Sequence, residues 1–238
     1  MNALMKLLRK LRRLYHRLNP KPWNRVILKK QAIPGPLIEN VFNYIREMPG
    51  WFNLDDATTF STMLTLQSVY GVKGDILEIG TYFGRSASLL AHYLNKDEKL
   101  FICDPFESGL QYLTHEHASI EVLKRNIKTV TPDFDFNQLV VNQCFSYDLQ
   151  LPEDQQFRFI HVDAGHSKEE AQHDLRLADA HLLEKGIISV DDYKHFRFPG
   201  VVEAVEIFMN EHQNYAVAAD LNRRGASGRK LYLVKNSK

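Results

Sequence analysis

Short apolar runs bounded by turn residues recur along most of the chain, with helical spacing between them. Runs at 75–79, 100–104, 138–142, 158–163, 186–191, 215–219 and 230–234 are continuously apolar rather than alternating. That is the pattern of strands covered on both faces of a parallel sheet. The intervening segments 85–94, 115–129, 168–183 and 200–212 read as helices. Segment 220–228 is turn-rich and has no helix, so the last two strands are expected to close as an antiparallel hairpin. Upstream, 37–46 and 55–70 have helical patterns, the second with apolar Phe60, Met63, Leu64, Leu66 and Val69. The expectation is an α/β fold: a doubly wound, mostly parallel seven-stranded sheet preceded by helices.

The N-terminus breaks this pattern. Leu4, Leu7, Leu8, Leu11, Leu14 and Leu18 recur at helical spacing among ten bases, and residues 1–30 hold no acid. Since the whole chain is +1, the remainder is −9. This is a basic amphipathic helix, suited to an anionic membrane surface, a partner, a dimer mate or its own domain. Pro20, Pro22, Pro34, Gly35 and Pro36 mark a linker. The expected division is 1–30 as this segment and 31–238 as one domain. The basic block lacks interleaved aromatics, which argues against nucleic acid. No apolar run is long enough to span a bilayer, and no signal peptide is visible. The expected location is cytoplasmic, with peripheral contact at the inner membrane surface through residues 1–30. Cys103 and Cys144 lack metal-ligand spacing and read as free thiols.

The chemistry concentrates at strand ends. The run Asp75-Ile76-Leu77-Glu78-Ile79 leads into Gly80-Thr81-Tyr82-Phe83-Gly84-Arg85-Ser86, a strand, a tight turn and a helix start. A dinucleotide turn, G-x-G-x-x-G, keeps a middle glycine so that backbone can approach a pyrophosphate. Tyr82 and Phe83 fill that region here. A bulky turn suits a cofactor without a diphosphate, and S-adenosylmethionine (SAM) is such a molecule. Asp104 ends the next strand 24 residues beyond Gly80, where an acid holds ribose hydroxyls. Ser146 lies after the third strand, at the adenine end. Glu78, Gly80, Thr81, Tyr82, Gly84, Ser86, Asp104, Ser146 and Asp163 are the expected cofactor residues.

Asp163 ends the fourth strand, and Asp191-Asp192 end the fifth. Neighbouring strands run about 4.8 Å apart, so these carboxylates repel unless they take up protons or a cation. Oxygen ligands favour a hard divalent ion such as Mg²⁺. His166, three residues after Asp163, is placed to serve as a general base. His195 and Arg197 could border an acceptor pocket.

The turn E-x-G-x-x-x-G resembles motif I of class I SAM-dependent methyltransferases. Together with V-D-A-G-H-S and V-D-D-Y it resembles the metal-dependent O-methyltransferases of the macrocin type, from about Pro49 onward. The resemblance implies Mg²⁺ at Asp163, Asp191 and Asp192, His166 as base, and a sugar hydroxyl of a natural product or glycan as acceptor. Members often carry Glu or His where this chain has Asp191, which makes Asp191 the least secure ligand.

The rival readings are a catechol or phenol O-methyltransferase, with Trp51, Phe52, Tyr82 and Phe106 as an apolar slot, and a non-catalytic, membrane-associated SAM-binding protein. An NAD oxidoreductase is the weakest, because of the turn. A homo-oligomer is compatible with all of them.

Overall fold

The computed structural model describes residues 35–106 and 117–237. The basic N-terminal segment lies outside the described residues. Contacts mark Pro36–Lys238 as one compact unit. In chain order the elements are α1 (Gly35–Ile45), α2 (Leu54–Val69), β1 (Asp75–Ile79), α3 (Arg85–His92), β2 (Leu100–Cys103), α4 (Ile120–Val130), β3 (Leu139–Asn142), β4 (Phe157–Val162), α5 (Lys168–His181), β5 (Leu182–Tyr193), α6 (Pro199–Glu211), β6 (Tyr215–Asn222) and β7 (Arg229–Lys235).

Seven strands form one sheet in the order β3-β2-β1-β4-β5-β7-β6. β1 to β5 pair in parallel, and β7 runs antiparallel to both β5 and β6. The closing hairpin is therefore present, with β7 inserted between β5 and β6. Strand order reverses between β1 and β4, the switch point where ligands bind in open α/β sheets. Most boundaries shift by one to three residues, and two shift by more. β5 starts at Leu182, where the apolar pattern extended the preceding helix to 183, and the fourth helix starts at Ile120, capped by the Ser119 side chain.

Side chains alternate across a strand, and the register turns that alternation into rows. On one face Leu77, Ile79, Ile160, Val162, Ile188, Val190, Leu231 and Leu233 share an apolar core with α5 and α6. On the other face three rows climb toward the carboxyl edge. The lowest, Ile76, Phe159, Ile187 and Val234, is apolar and packs in the core that includes α2 and α3. The middle row is Glu78, His161, Ser189 and Tyr232. One alternation further up stand Gly80, Asp163, Asp191 and Lys230. The face thus changes from hydrocarbon to charge over two alternations, and Phe60 of α2 lies against the middle row, edge-on to His161 at 5.0 Å.

Candidate functional site

The turn after β1 is wound by Gly80 (φ 84°), Tyr82 (φ 53°) and Gly84 (φ 83°). Gly80 is obligatory twice over: its φ is left-handed, and a Cβ would run into the backbone of Asp163. Asp163 N–H in turn donates to Ile79 O at 2.8 Å, locking the β1 and β4 ends together. Asp104 organises the turn. Its Oδ2 accepts the backbone N–H of Thr81 (2.7 Å) and Tyr82 (2.8 Å), and its Oδ1 accepts that of Phe106 (2.6 Å). The amides that would cradle a diphosphate are therefore used within the protein. A carboxylate offers about four lone-pair sites, so one on Oδ1 remains for a ribose hydroxyl. Burial pushes the Asp104 carboxyl up, against the pull of those amides.

Glu78 faces inward. Its Oε2 accepts from the Thr81 hydroxyl (2.6 Å) and its Oε1 sits 2.8 Å from His161 Nδ1. Its influence on a cofactor therefore passes through Thr81. Ser86 is buried on α3, and Gly84 caps that helix without a side-chain bond. Trp51 stacks on Tyr82 at 5.7 Å and is exposed, whereas Phe52 is buried in the core, so the four-aromatic slot loses Phe52. Ser146 opens a short 3₁₀ turn, and its carbonyl lies 3.2 Å from His173 Nε2. Cys103 and Cys144 are free thiols with sulfurs 3.9 Å apart.

The acids at the ends of β4 and β5 meet as expected, but differ in their partners. Asp191 is saturated. Its Oδ2 lies 2.7 Å from Lys230 Nζ, and its Oδ1 lies 2.6 Å from Arg223 NH2 and accepts the Asp192 N–H at 2.6 Å. Burial opposes its charge, but Lys230 and Arg223 outweigh that and hold its carboxyl well below the usual carboxylate range. Asp163 is the opposite case. Burial first, then the Asp191 charge, push its carboxyl well above that range. Its Oδ2 lies 3.9 Å from His161 Nε2. Asp192, in a left-handed backbone conformation (φ 52°), places Oδ2 3.0 Å from His166 Nε2. Among the described residues, Asp163, His166 and Asp192 bring ligand atoms within 4.8 Å of one another, as do His161, Asp163 and Asp191.

His166 stacks on Phe198 (4.0 Å), Phe198 on His195 (4.5 Å), and His195 on the exposed Phe196 (4.9 Å). This ladder borders the acid cluster. His195 is thus near the site, while Arg197 lies over the Phe196 ring at 5.3 Å.

Sequence reasoning missed three charged residues beneath the site: Asp56, Arg223 and Lys230. Asp56 belongs to the capping box that starts α2, and it faces Arg223 at 3.3 Å and Lys230 at 3.9 Å. Lys230 is fully buried, against the rings of Phe52 and Phe60. A lysine two residues from Tyr232 in an apolar strand was the available signal, since both share one face.

Residues 77–193 match the family described as a methyltransferase domain. No curated protein sequence matches the chain. Among solved structures, the O-methyltransferase NovP is 20% identical over 84% of this chain and 88% of its own, with TM-score 0.61. CalS11, a TDP-rhamnose 3′-O-methyltransferase of calicheamicin biosynthesis, is 18% identical over 89% and 92%, with TM-score 0.57. An O-methyltransferase from Bacillus cereus in complex with SAH is 17% identical over 89% and 96%, with TM-score 0.55. With the strand order, the turn built on Asp104 and the family match, residues 77–193 are a SAM-dependent methyltransferase domain, on a fold shared with the class I O-methyltransferases.

Proposed function

We propose that the protein methylates a hydroxyl of a sugar or glycosylated acceptor and does so with a hard divalent cation. The observation that carries this is the adjacency of Gly80 and Asp163. It sets the backbone of Asp163, whose carboxylate is under-compensated, against the turn that binds the sulfonium cofactor. Asp163 and Asp192 supply oxygen donors that fit a hard ion. Asp191 could join them only by giving up Lys230 or Arg223, so it backs the site instead. A bound dication supplies a lowered pKa at a coordinated hydroxyl.

This chain's own residues do the rest. Asp104 and the 80–84 turn hold the adenosine end of SAM. Asp192 Oδ2 fixes His166 through Nε2, and Phe198 fixes the plane of its ring. His166 takes the hydroxyl proton as the C–S bond breaks and the C–O bond forms, leaving S-adenosylhomocysteine. The exposed Phe196 and its ladder offer a flat apolar face for a sugar ring, and CalS11 acts on a sugar, which supports the acceptor class.

A second reading, a catechol or phenol acceptor, draws on the exposed Trp51–Tyr82 stack. Methyl transfer from SAM to a panel of nucleotide-linked sugars, glycosides and catechols, with Mg²⁺ or EDTA, separates the two. Product on sugars, abolished by EDTA, supports the proposal. Product on catechols alone, or full activity in EDTA, removes it.

A further inference from the structure

A buried line of polar groups runs from the cofactor turn to the acid pair across four neighbouring strands. The Thr81 hydroxyl donates to Glu78 Oε2 (2.6 Å). Glu78 Oε1 lies 2.8 Å from His161 Nδ1, His161 Nε2 lies 3.0 Å from Lys230 Nζ, and Lys230 Nζ lies 2.7 Å from Asp191 Oδ2. Asp191 Oδ1 then accepts the backbone N–H of Asp192. Glu78, His161 and Lys230 are 0% exposed and Asp191 is 7%, so no water competes for these bonds.

The direction of each bond follows from the donors available. An ammonium only donates. His161 Nε2 must therefore accept from Lys230, which leaves the ring proton on Nδ1, donated to Glu78. Glu78 keeps Oε2 to accept from Thr81. Replacing the ammonium with a group that cannot donate removes the reason for this tautomer, and with it the geometry at Glu78 and Thr81. Lys230 has no freedom to turn away. The rings of Phe52 and Phe60 lie 5.3 and 5.1 Å from its Nζ, and Asp56 Oδ1 lies at 3.9 Å.

A buried lysine is an expensive structural strut, because apolar replacements of buried ion pairs often cost nothing or stabilise. Its location points to a task in the reaction. We propose that Lys230 is a positioning residue for methyl transfer: it fixes His161, and through Glu78 the Thr81 end of the cofactor turn, while holding Asp191 beside the acceptor-side acids. The inference rests on the methyltransferase assignment and needs neither the metal nor the acceptor.

The test uses the full chain and S-adenosylhomocysteine as probe. Nitrogen-15 NMR of labelled histidines, with a His161→Gln spectrum for assignment, should show His161 as the neutral Nδ1–H tautomer in the wild type. Lys230→Met should lose that signature and weaken S-adenosylhomocysteine binding about tenfold or more, the scale set by outer-shell partners. Lys230→Arg should retain most of the affinity. Thr81→Val cuts the same line at its other end, so Lys230→Met adds little when Thr81 is already Val, a non-additivity expected for one network.

A wild-type His161 protonated on Nε2, or on both nitrogens, overturns the proposal without any Lys230 variant. So does a folded Lys230→Met protein with wild-type affinity, or effects of the two substitutions that simply multiply. Should Lys230→Met not fold, the wild-type tautomer and Lys230→Arg still decide. Wild-type protein that binds no S-adenosylhomocysteine would instead remove the methyltransferase assignment itself.

Discussion

Strand β4 carries a charge cluster at each end, and the two are built on opposite plans. At the amino end Arg158 is 0% exposed and faces Glu98 through two bonds, 2.9 Å from Nε and 2.8 Å from NH2. Its remaining donors reach the Gln67 side chain and the Tyr93 carbonyl, while Gln67 Nε2 donates back to the Arg158 carbonyl. One base meets one acid, and their polar atoms are satisfied. At the carboxyl end Asp56, Glu78, Asp163, Asp191 and Asp192 meet two permanent cations, Lys230 and Arg223, and the imidazoles of His161 and His166. The first cluster is closed and needs nothing from outside. The second has carboxylates in excess and opens onto the cofactor turn; on the proposed reading a sulfonium or a dication completes it. Burial of charge alone does not mark a functional site; incomplete compensation does.

The comparison breaks most visibly at the closed end. Glu98→Gln strands a buried guanidinium and should cost about 3–5 kcal/mol in denaturant unfolding, with cofactor affinity unchanged in the folded protein. Arg158 and the backbone of Asn95 hold the Glu98 carboxyl below its usual value despite burial. Its stabilisation is therefore full above the unfolded carboxylate pKa, about 4.3, and is lost as pH falls through the lower folded value. The gap between wild type and Glu98→Gln should close in acid. A gap that is constant with pH would contradict the pairing.

At the open end, His166→Ala should lower turnover about 10²-fold or more with S-adenosylhomocysteine affinity retained. Equal turnover would remove the base. Asp163→Asn should act in the stabilising direction. Its carboxyl is raised, so the folded state holds the proton more tightly, and wild-type stability falls as pH rises above the unfolded value of about 4. That fall should vanish in Asp163→Asn, giving a higher Tm at neutral pH without added metal. A lower Tm would place Asp163 in a compensated environment. The smallest effect is expected for Trp51→Ala: stability within about 0.5 kcal/mol, as for exposed positions, and a change confined to acceptor KM. A large loss of stability would show that the Trp51–Tyr82 stack is structural.

Much of this was legible in the chain. Continuous apolar runs announced a parallel sheet, and their terminal polar residues announced its carboxyl edge, because strand ends and glycines are local signals. The placement of Asp104, Asp163, Asp192 and His166 at that edge was legible that way. The state of each acid was not legible. The partner of Asp191 is Lys230, which β7 brings beside it, and that pairing depends on an antiparallel strand some forty residues away. The partner of Glu78 is His161, which the register sets opposite it. Phe52 differs from Trp51 only in which neighbour turns inward. In each case the deciding quantity is a long-range partner, to which periodicity is blind.

The most direct test of the open-pole account is a calorimetric titration of Mn²⁺ into protein saturated with S-adenosylhomocysteine, in wild type, Asp163→Asn and Glu98→Gln. The account predicts one dication per chain in the wild type and in folded Glu98→Gln, and none in Asp163→Asn. Equal binding in all three, or binding in none, would contradict it.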